Sequence, residues 1–233
     1  MTGYLAKPGV GEFASEAAAV IRRNIVPVLI YGIFAAVVAS GFDLALGEGI
    51  SSSLAQMPFT FIGSYLIAWV IIRNEGRATV SPSAKGFLVS SAAGMLVGIG
   101  GVFGLVLLIV PGLLLLARWS VVSSLIIGRG VPAMDAFGES SRITKPHQWP
   151  IIGLFVLLLL AFLLFLTAIG VIIVIGLTAQ LGSFSVTEWS EAPAIVVIGN
   201  LLTGLLSASA VGLNVAILNI VLDHAEGHEE IFA

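Results

Sequence analysis

A chain of 233 residues with 58% hydrophobic residues, 10% charged residues and a mean hydropathy of +1.10 is no ordinary soluble domain, where about a quarter of residues carry charge. The net charge of −3 and the absence of cysteine argue against a nucleic-acid partner, a disulfide framework and thiol chemistry. Apolar stretches repeatedly reach the roughly 20 residues that a helix needs to cross a hydrocarbon core of about 30 Å. They lack the alternation of barrel strands, so the expected fold is all-α, a polytopic transmembrane helical bundle.

Residues 1–24 form an expected cytoplasmic N-terminal segment. "VGEFASEAAAVIRRN", Val10 to Asn24, has no continuous apolar core of the kind a cleavable signal needs. Glu12 and Glu16 early and Arg22 and Arg23 late suit a helix dipole, and Phe13, Ala17, Val20 and Ile21 share one face. This predicts an amphipathic helix lying on the cytoplasmic leaflet.

A single bundle domain over 25–222 contains six predicted spans: Ile25 to Leu46, Leu54 to Ile72, Phe87 to Ile109, Pro111 to Gly128, Trp149 to Ala179 and Ala192 to Leu222. The third and fourth divide at Pro111-Gly112, a pair that breaks helical hydrogen bonding where a tight turn is wanted. A helical hairpin is the favoured reading, with a re-entrant or kinked element as the alternative. Charge supports the hairpin. Of ten Lys and Arg residues, nine (Lys7, Arg22, Arg23, Arg73, Arg77, Lys85, Arg129, Arg142 and Lys145) then fall on one side. The connections "GEGISSS" and "QLGSFSVTEWSEA" contain none. Both termini are therefore expected in the cytoplasm, with an inner, plasma-type membrane as the location.

The tenth base, Arg118, sits inside the fourth span. Counted from Pro111, it lies about 10 Å below the outer turn at about 1.5 Å per residue, a depth similar to that of Asp43, the one acid in any span. An Arg118 to Asp43 ion pair is one expectation. A lipid or substrate phosphate held by Arg118 with Trp119, or bonding of Arg118 to backbone carbonyls alone, are the others.

A second interfacial helix is expected at about 131–145, with Pro132 in its first turn, Asp135 early, Arg142 and Lys145 late, and Pro146 as its stop. The run "VPGLLLLARWSVVSSLIIGRGVPAMDAFGESSRIT" followed by "HQWPIIGLFVLLLL" resembles the signature of the glycerophosphoryl diester phosphodiesterase membrane-domain family and its YciC-like relatives. The matching residues are Pro111, Gly112, Arg118, Trp119, Ser140, Ile143, Thr144 and Trp149, within Val110 to Phe155. Arg129 stands where relatives often carry an acid. The resemblance implies a membrane region that some members fuse to a soluble phosphodiesterase domain. This chain has no room for that domain, so the named activity is not expected here.

Small residues in the third span (Gly94, Gly98, Gly100, Gly101, Gly104) and the sixth (Gly204, Ala208, Gly212) predict close helix packing. Asn200 and Asn214, 14 residues apart, return to nearly one face of the sixth span. Amides in lipid require partners, either a neighbouring helix or a polar solute. Residues 223–233 form an expected acidic cytoplasmic tail, where His224 and His228 at i and i+4 are weak metal candidates beside the commoner explanation of a flexible terminus. No cofactor is expected.

Three functions follow. The first is a non-catalytic inner-membrane protein that organises or binds lipids or a partner membrane complex. Its expected partners are anionic headgroups at Arg22, Arg23, Arg142 and Lys145, and a membrane protein or a second copy. The second is a small-solute or lipid transporter with a polar path near Arg118, Asn200 and Asn214. The third, an intramembrane enzyme, lacks the cluster of acids and His it would need.

Overall fold

The computed structural model describes residues 8–47, 49–107, 109–180 and 193–232. It is all-α, with no strand among the described residues. The helices are α1 (Val10–Arg23), α2 (Ile25–Leu46), α3 (Ile50–Asn74), α4 (Ala84–Leu107), α5 (Ile109–Trp119), α6 (Val122–Arg129), α7 (Ala133–Thr144), α8 (Gln148–Gln180) and α9 (Pro193–Phe232). Six segments are long and apolar enough to cross a membrane, namely Ile25–Leu46, Ile50–Asn74, Ala84–Gly104, Ile109–Arg129, Ala133–Ala168 and Val196–Ala225. The chain is a multi-pass helical bundle.

α1 and α2 follow one another along α9 in antiparallel sense. Ile21 meets Gly212, and farther along Gly32 and Ala35 meet Gly204. A Cβ added at Gly204 would lie 2.7 Å from the Gly32 carbonyl oxygen, so only glycine permits this approach of the two backbones. The α4–α5 hairpin closes by the same device, Gly104 against the Cα of Gly112.

Burial is uneven along the bundle. Phe13, Val20, Ile71, Ile72, Val121, Leu125, Ile151, Leu154, Ile217 and Leu218 are fully enclosed. They come from α1, the end of α3, α6, the start of α8 and the later part of α9. Beyond them, the large apolar residues of α8 from Val156 to Leu166 are exposed, as are Val37, Ile62, Val102 and Phe103. An exposed apolar surface this extensive faces lipid in a membrane-spanning helix.

Four sequence expectations are corrected. α4 ends at Leu107 and α5 begins at Ile109, ahead of the predicted division, and Pro111 sits inside the first turn of α5, where a missing N–H breaks no helical bond. The fourth span is two helices, interrupted at Ser120–Val121. α1 and α7 do not offer open apolar faces to a leaflet: Phe13, Ala17 and Val20, and Ala136, Ile143 and Thr144, are buried against the rest of the protein. The sequence identified these faces but not their partner, since α1 and α7 meet a protein surface as apolar as lipid. Finally, the acidic tail continues α9 as helix to Phe232.

The break in the fourth span frees the Arg118 carbonyl from helical bonding, and α7 satisfies it. Ser140 Oγ donates to it at 2.6 Å and Thr144 Oγ1 at 3.2 Å. A doubly substituted Ser140→Ala, Thr144→Val protein leaves that carbonyl without either donor. It should lose about 1–3 kcal/mol, the cost of an unsatisfied buried polar group, read as a lower melting temperature in detergent. Thr144→Ser should retain most of the stability.

Candidate functional site

Between α3, α4, α6 and α9 lies a cavity of about 190 Å³ with a mixed lining, in which the hydroxyl and amide groups of Ser64, Tyr65, Ser90, Ser91, Ser123, Ser124 and Asn214 stand among Phe61, Ala68, Ile127 and Val211. Adjoining it is a larger cavity of about 740 Å³ between the α4–α5 hairpin and α8, walled by Ile109, Leu113, Leu116, Trp119, Phe155 and Leu159. The two share Gly94, Ser123 and Asn214 as lining residues. Glycine at 94 keeps this junction open. A Cβ there would reach ordinary contact with Ser123 Oγ at 3.9 Å, and a longer side chain would fill the space. The pair forms one cleft with a polar chamber and an apolar one, the arrangement an amphiphile requires.

Of the polar residues singled out by sequence, Asn214 reaches both chambers. Asn200 lies at the opposite end of α2 and α9, where its Nδ2 donates to Asp43 Oδ2 at 2.9 Å and to Ser40 Oγ at 3.2 Å. Arg118 and Asp43 are not brought together. Arg118 instead donates to Gln148 Oε1 at 3.3 and 3.4 Å, beside the first residue of α8. The depth count from the hairpin turn missed this because α7 folds back along α5 and delivers Gln148 to Arg118. Trp119 packs edge-on to Phe137 at 5.1 Å, and its ring also closes over Gly100.

The basic residues expected to meet headgroups divide into two groups. Arg23 belongs to an internal cluster: its guanidinium donates to Glu16 Oε1 at 2.7 Å and to both Glu75 oxygens at 2.7 and 3.2 Å. Asn24 and Asn219 also donate to Glu75, at 2.8 and 3.3 Å, and Asn74 donates to Asn24 at 2.9 Å. The two carboxylates raise the Arg23 pKa further above its ordinary value, with the Glu75 hydrogen bond as the largest cause. Arg142 pairs with Glu139 at 2.8 Å on the surface of α7, which holds the Glu139 carboxyl below its usual range. Arg22 and Lys145 are exposed.

His224 is engaged by neighbours other than the metal-ligand candidates named from the sequence. Its ring packs against His147 at 5.3 Å, and His147 lies against Phe13 at 6.4 Å. Asp223, beside it, is bonded to Arg77. No group of three or more metal-ligating side chains occurs among the described residues. The side chain of His228 and the connection 181–192 lie outside them.

Sequence reasoning missed the serines of the cleft and the role of Glu75. The signal for the first was the cluster Ser120, Ser123 and Ser124 within an apolar run. The signal for the second was a lone acid in a basic connection. No family model, curated protein or solved structure matches the chain.

The Glu75 cluster joins α1, α2, α3 and α9, so Glu75→Leu strips one acceptor from three donors at once. It should cost about 1–3 kcal/mol in thermal unfolding, given the half-exposed Arg23. Adding Arg23→Leu should recover part of the loss. The Glu139–Arg142 pair has the opposite standing. A carboxyl with a lowered folded-state pKa stabilises at neutral pH and loses that contribution as pH falls through the folded value. Because both side chains are solvated, Glu139→Gln should change stability by less than about 1 kcal/mol.

Proposed function

We propose that this chain is a non-catalytic protein of a bacterial-type inner membrane that binds and organises lipid within its helical bundle. The observation that carries this reading is the junction at Gly94, Ser123 and Asn214, where a hydroxyl-lined chamber meets an apolar one. A headgroup and its chains need these two environments side by side. Kinship with the glycerophosphoryl diester phosphodiesterase membrane-domain family is part of the proposal, resting on the motif from Pro111 to Trp149. The one-sided distribution of bases supports a cytoplasmic side for both termini.

A transporter is the second reading, favoured by one further cavity. It measures about 360 Å³, contains Lys85 and Ser83, and shares Tyr65 and Ile127 with the polar chamber. A path from this cavity through the chamber would lead a polar solute or lipid head towards Asn214. Asn200 and Arg118, engaged with Asp43 and Gln148, lie off that path.

Two measurements test the proposal. Gly94→Leu should close the junction and lower the lipid retained by the purified protein by about fivefold in mass-spectrometric analysis, within the range expected for lost apolar burial of a side chain or so. Unchanged retention would sink the lipid-binding reading, and solute uptake by vesicles containing the native chain would favour transport. For orientation, Ser51→Cys should react with a membrane-impermeant thiol reagent added to intact cells, and Ser81→Cys should not. Both positions are exposed, so the reverse pattern would invert the topology.

A further inference from the structure

The chemistry of the cleft narrows what it holds, and the inference here rests on the lipid-binding reading above. No Lys, Arg, Asp or Glu lines the polar chamber among the described residues. Ser124 is only 5% exposed. Together with Ser91, Ser123 and Asn214, it has no side-chain hydrogen-bond partner among the described residues. Each of these groups both donates and accepts. Ser124 is buried and the other three are half-buried, so a ligand that enters the chamber can take up hydrogen bonds that the protein leaves open.

An ionised phosphate is a poor partner. It would surrender its hydration to a chamber with no cation, and neutral donors do not offset the desolvation of a full charge. The nearest base belonging to a cavity wall is Lys85, which lines the neighbouring cavity and not this one. Arg118, whose side chain is engaged with Gln148, lines neither chamber. An uncharged head with hydroxyl and ester groups matches both donors and acceptors. The apolar chamber extends to exposed Ile109, Val156 and Leu159, so chains seated there continue into the surrounding lipid.

We infer that the cleft selects a glycerolipid with an uncharged head, of the diacylglycerol class, with its free hydroxyl among Ser91, Ser123 and Ser124 and its ester region at Asn214. The experiment uses the full chain reconstituted in nanodiscs of phosphatidylethanolamine and phosphatidylglycerol that carry equal small amounts of dioleoylglycerol and dioleoylphosphatidate. After detergent extraction and purification, the retained lipids are quantified by mass spectrometry. Dioleoylglycerol should be enriched over its share of the nanodisc and phosphatidate should not. Asn214→Leu should reduce that enrichment by about fivefold, as expected for the loss of an ordinary hydrogen bond. Ser123→Ala with Ser124→Ala, small changes that leave packing in place, should act in the same direction, with melting temperature confirming a folded protein.

Phosphatidate enriched as strongly as dioleoylglycerol, and released by Lys85→Ala, would overturn the uncharged-head assignment while leaving lipid binding intact. Enrichment of dioleoylglycerol that survives both the Asn214 and the serine substitutions would overturn the placement of the head. Retention of every lipid unchanged by Gly94→Leu would remove the underlying lipid-binding reading itself.

Discussion

A helix that breaks at bilayer depth must find partners for the carbonyls it releases, because lipid supplies none. Here the broken helix is the fourth span, and the carbonyl is that of Arg118. Ser140 meets it from α7 at 2.6 Å, and the single hydroxyl proton of Thr144 is shared between it at 3.2 Å and the Ser140 carbonyl one turn back at 2.7 Å. Much else is placed by that satisfaction. α7 is drawn against α5, which buries Ala136 and Ile143 and sets Phe137 against Trp119. The short turn over Lys145–His147 then starts α8 where Gln148 can reach the Arg118 side chain. Ser120 and Ser123, on either side of the break, are left along the cleft wall.

Polar groups elsewhere fall into separate sets with different duties. At one end, Asp43, Ser40 and Asn200 satisfy one another between α2 and α9. At the other, Glu16, Arg23, Glu75, Asn24 and Asn219 share charge and hydrogen bonds between four helices. Both sets bind helix to helix and leave little to offer a ligand. The cleft between them has the opposite character, with hydroxyls and an amide facing space. A structural amide in lipid closes on its neighbour, whereas a binding amide stays available, and Asn200 and Asn214 illustrate the two outcomes on one helix.

Composition and hydrophobic length were sufficient for the class, since crossing a bilayer demands about 20 apolar residues whatever their order. Span ends were legible to within about five residues except in the fifth, where the segment able to cross runs Ala133–Ala168. Charge spacing also marked α1 and α7 as amphipathic. What escaped was the identity of the surface each apolar face covers, because a leaflet and an apolar protein groove attract Phe13 or Ile143 by the same physics. Arg118 was legible as anomalous but not as a partner of Gln148. Its depth was reckoned along one helix, whereas its neighbour arrives through the fold-back of α7. The serines of the cleft were illegible for a related reason. Ser64, Ser91 and Ser123 come from three helices, and an isolated serine in a span is equally able to bond its own backbone, as Ser64 and Ser90 do.

α9 is a single helix of 40 residues, and it carries Asn200, Asn214 and Asn219 in fixed register. At about 1.5 Å per residue, Asn200 and Asn214 stand about 21 Å apart, and Asn219 lies about 7.5 Å farther on. Hydrogen-bonded helices bend and tilt but do not lengthen, so this helix acts as a ruler through the bilayer. A thinner or thicker membrane cannot alter the spacing of the three positions. It is met by tilting the ruler together with the helices that the two end clusters bind to it, so the bundle answers a change of thickness as a unit.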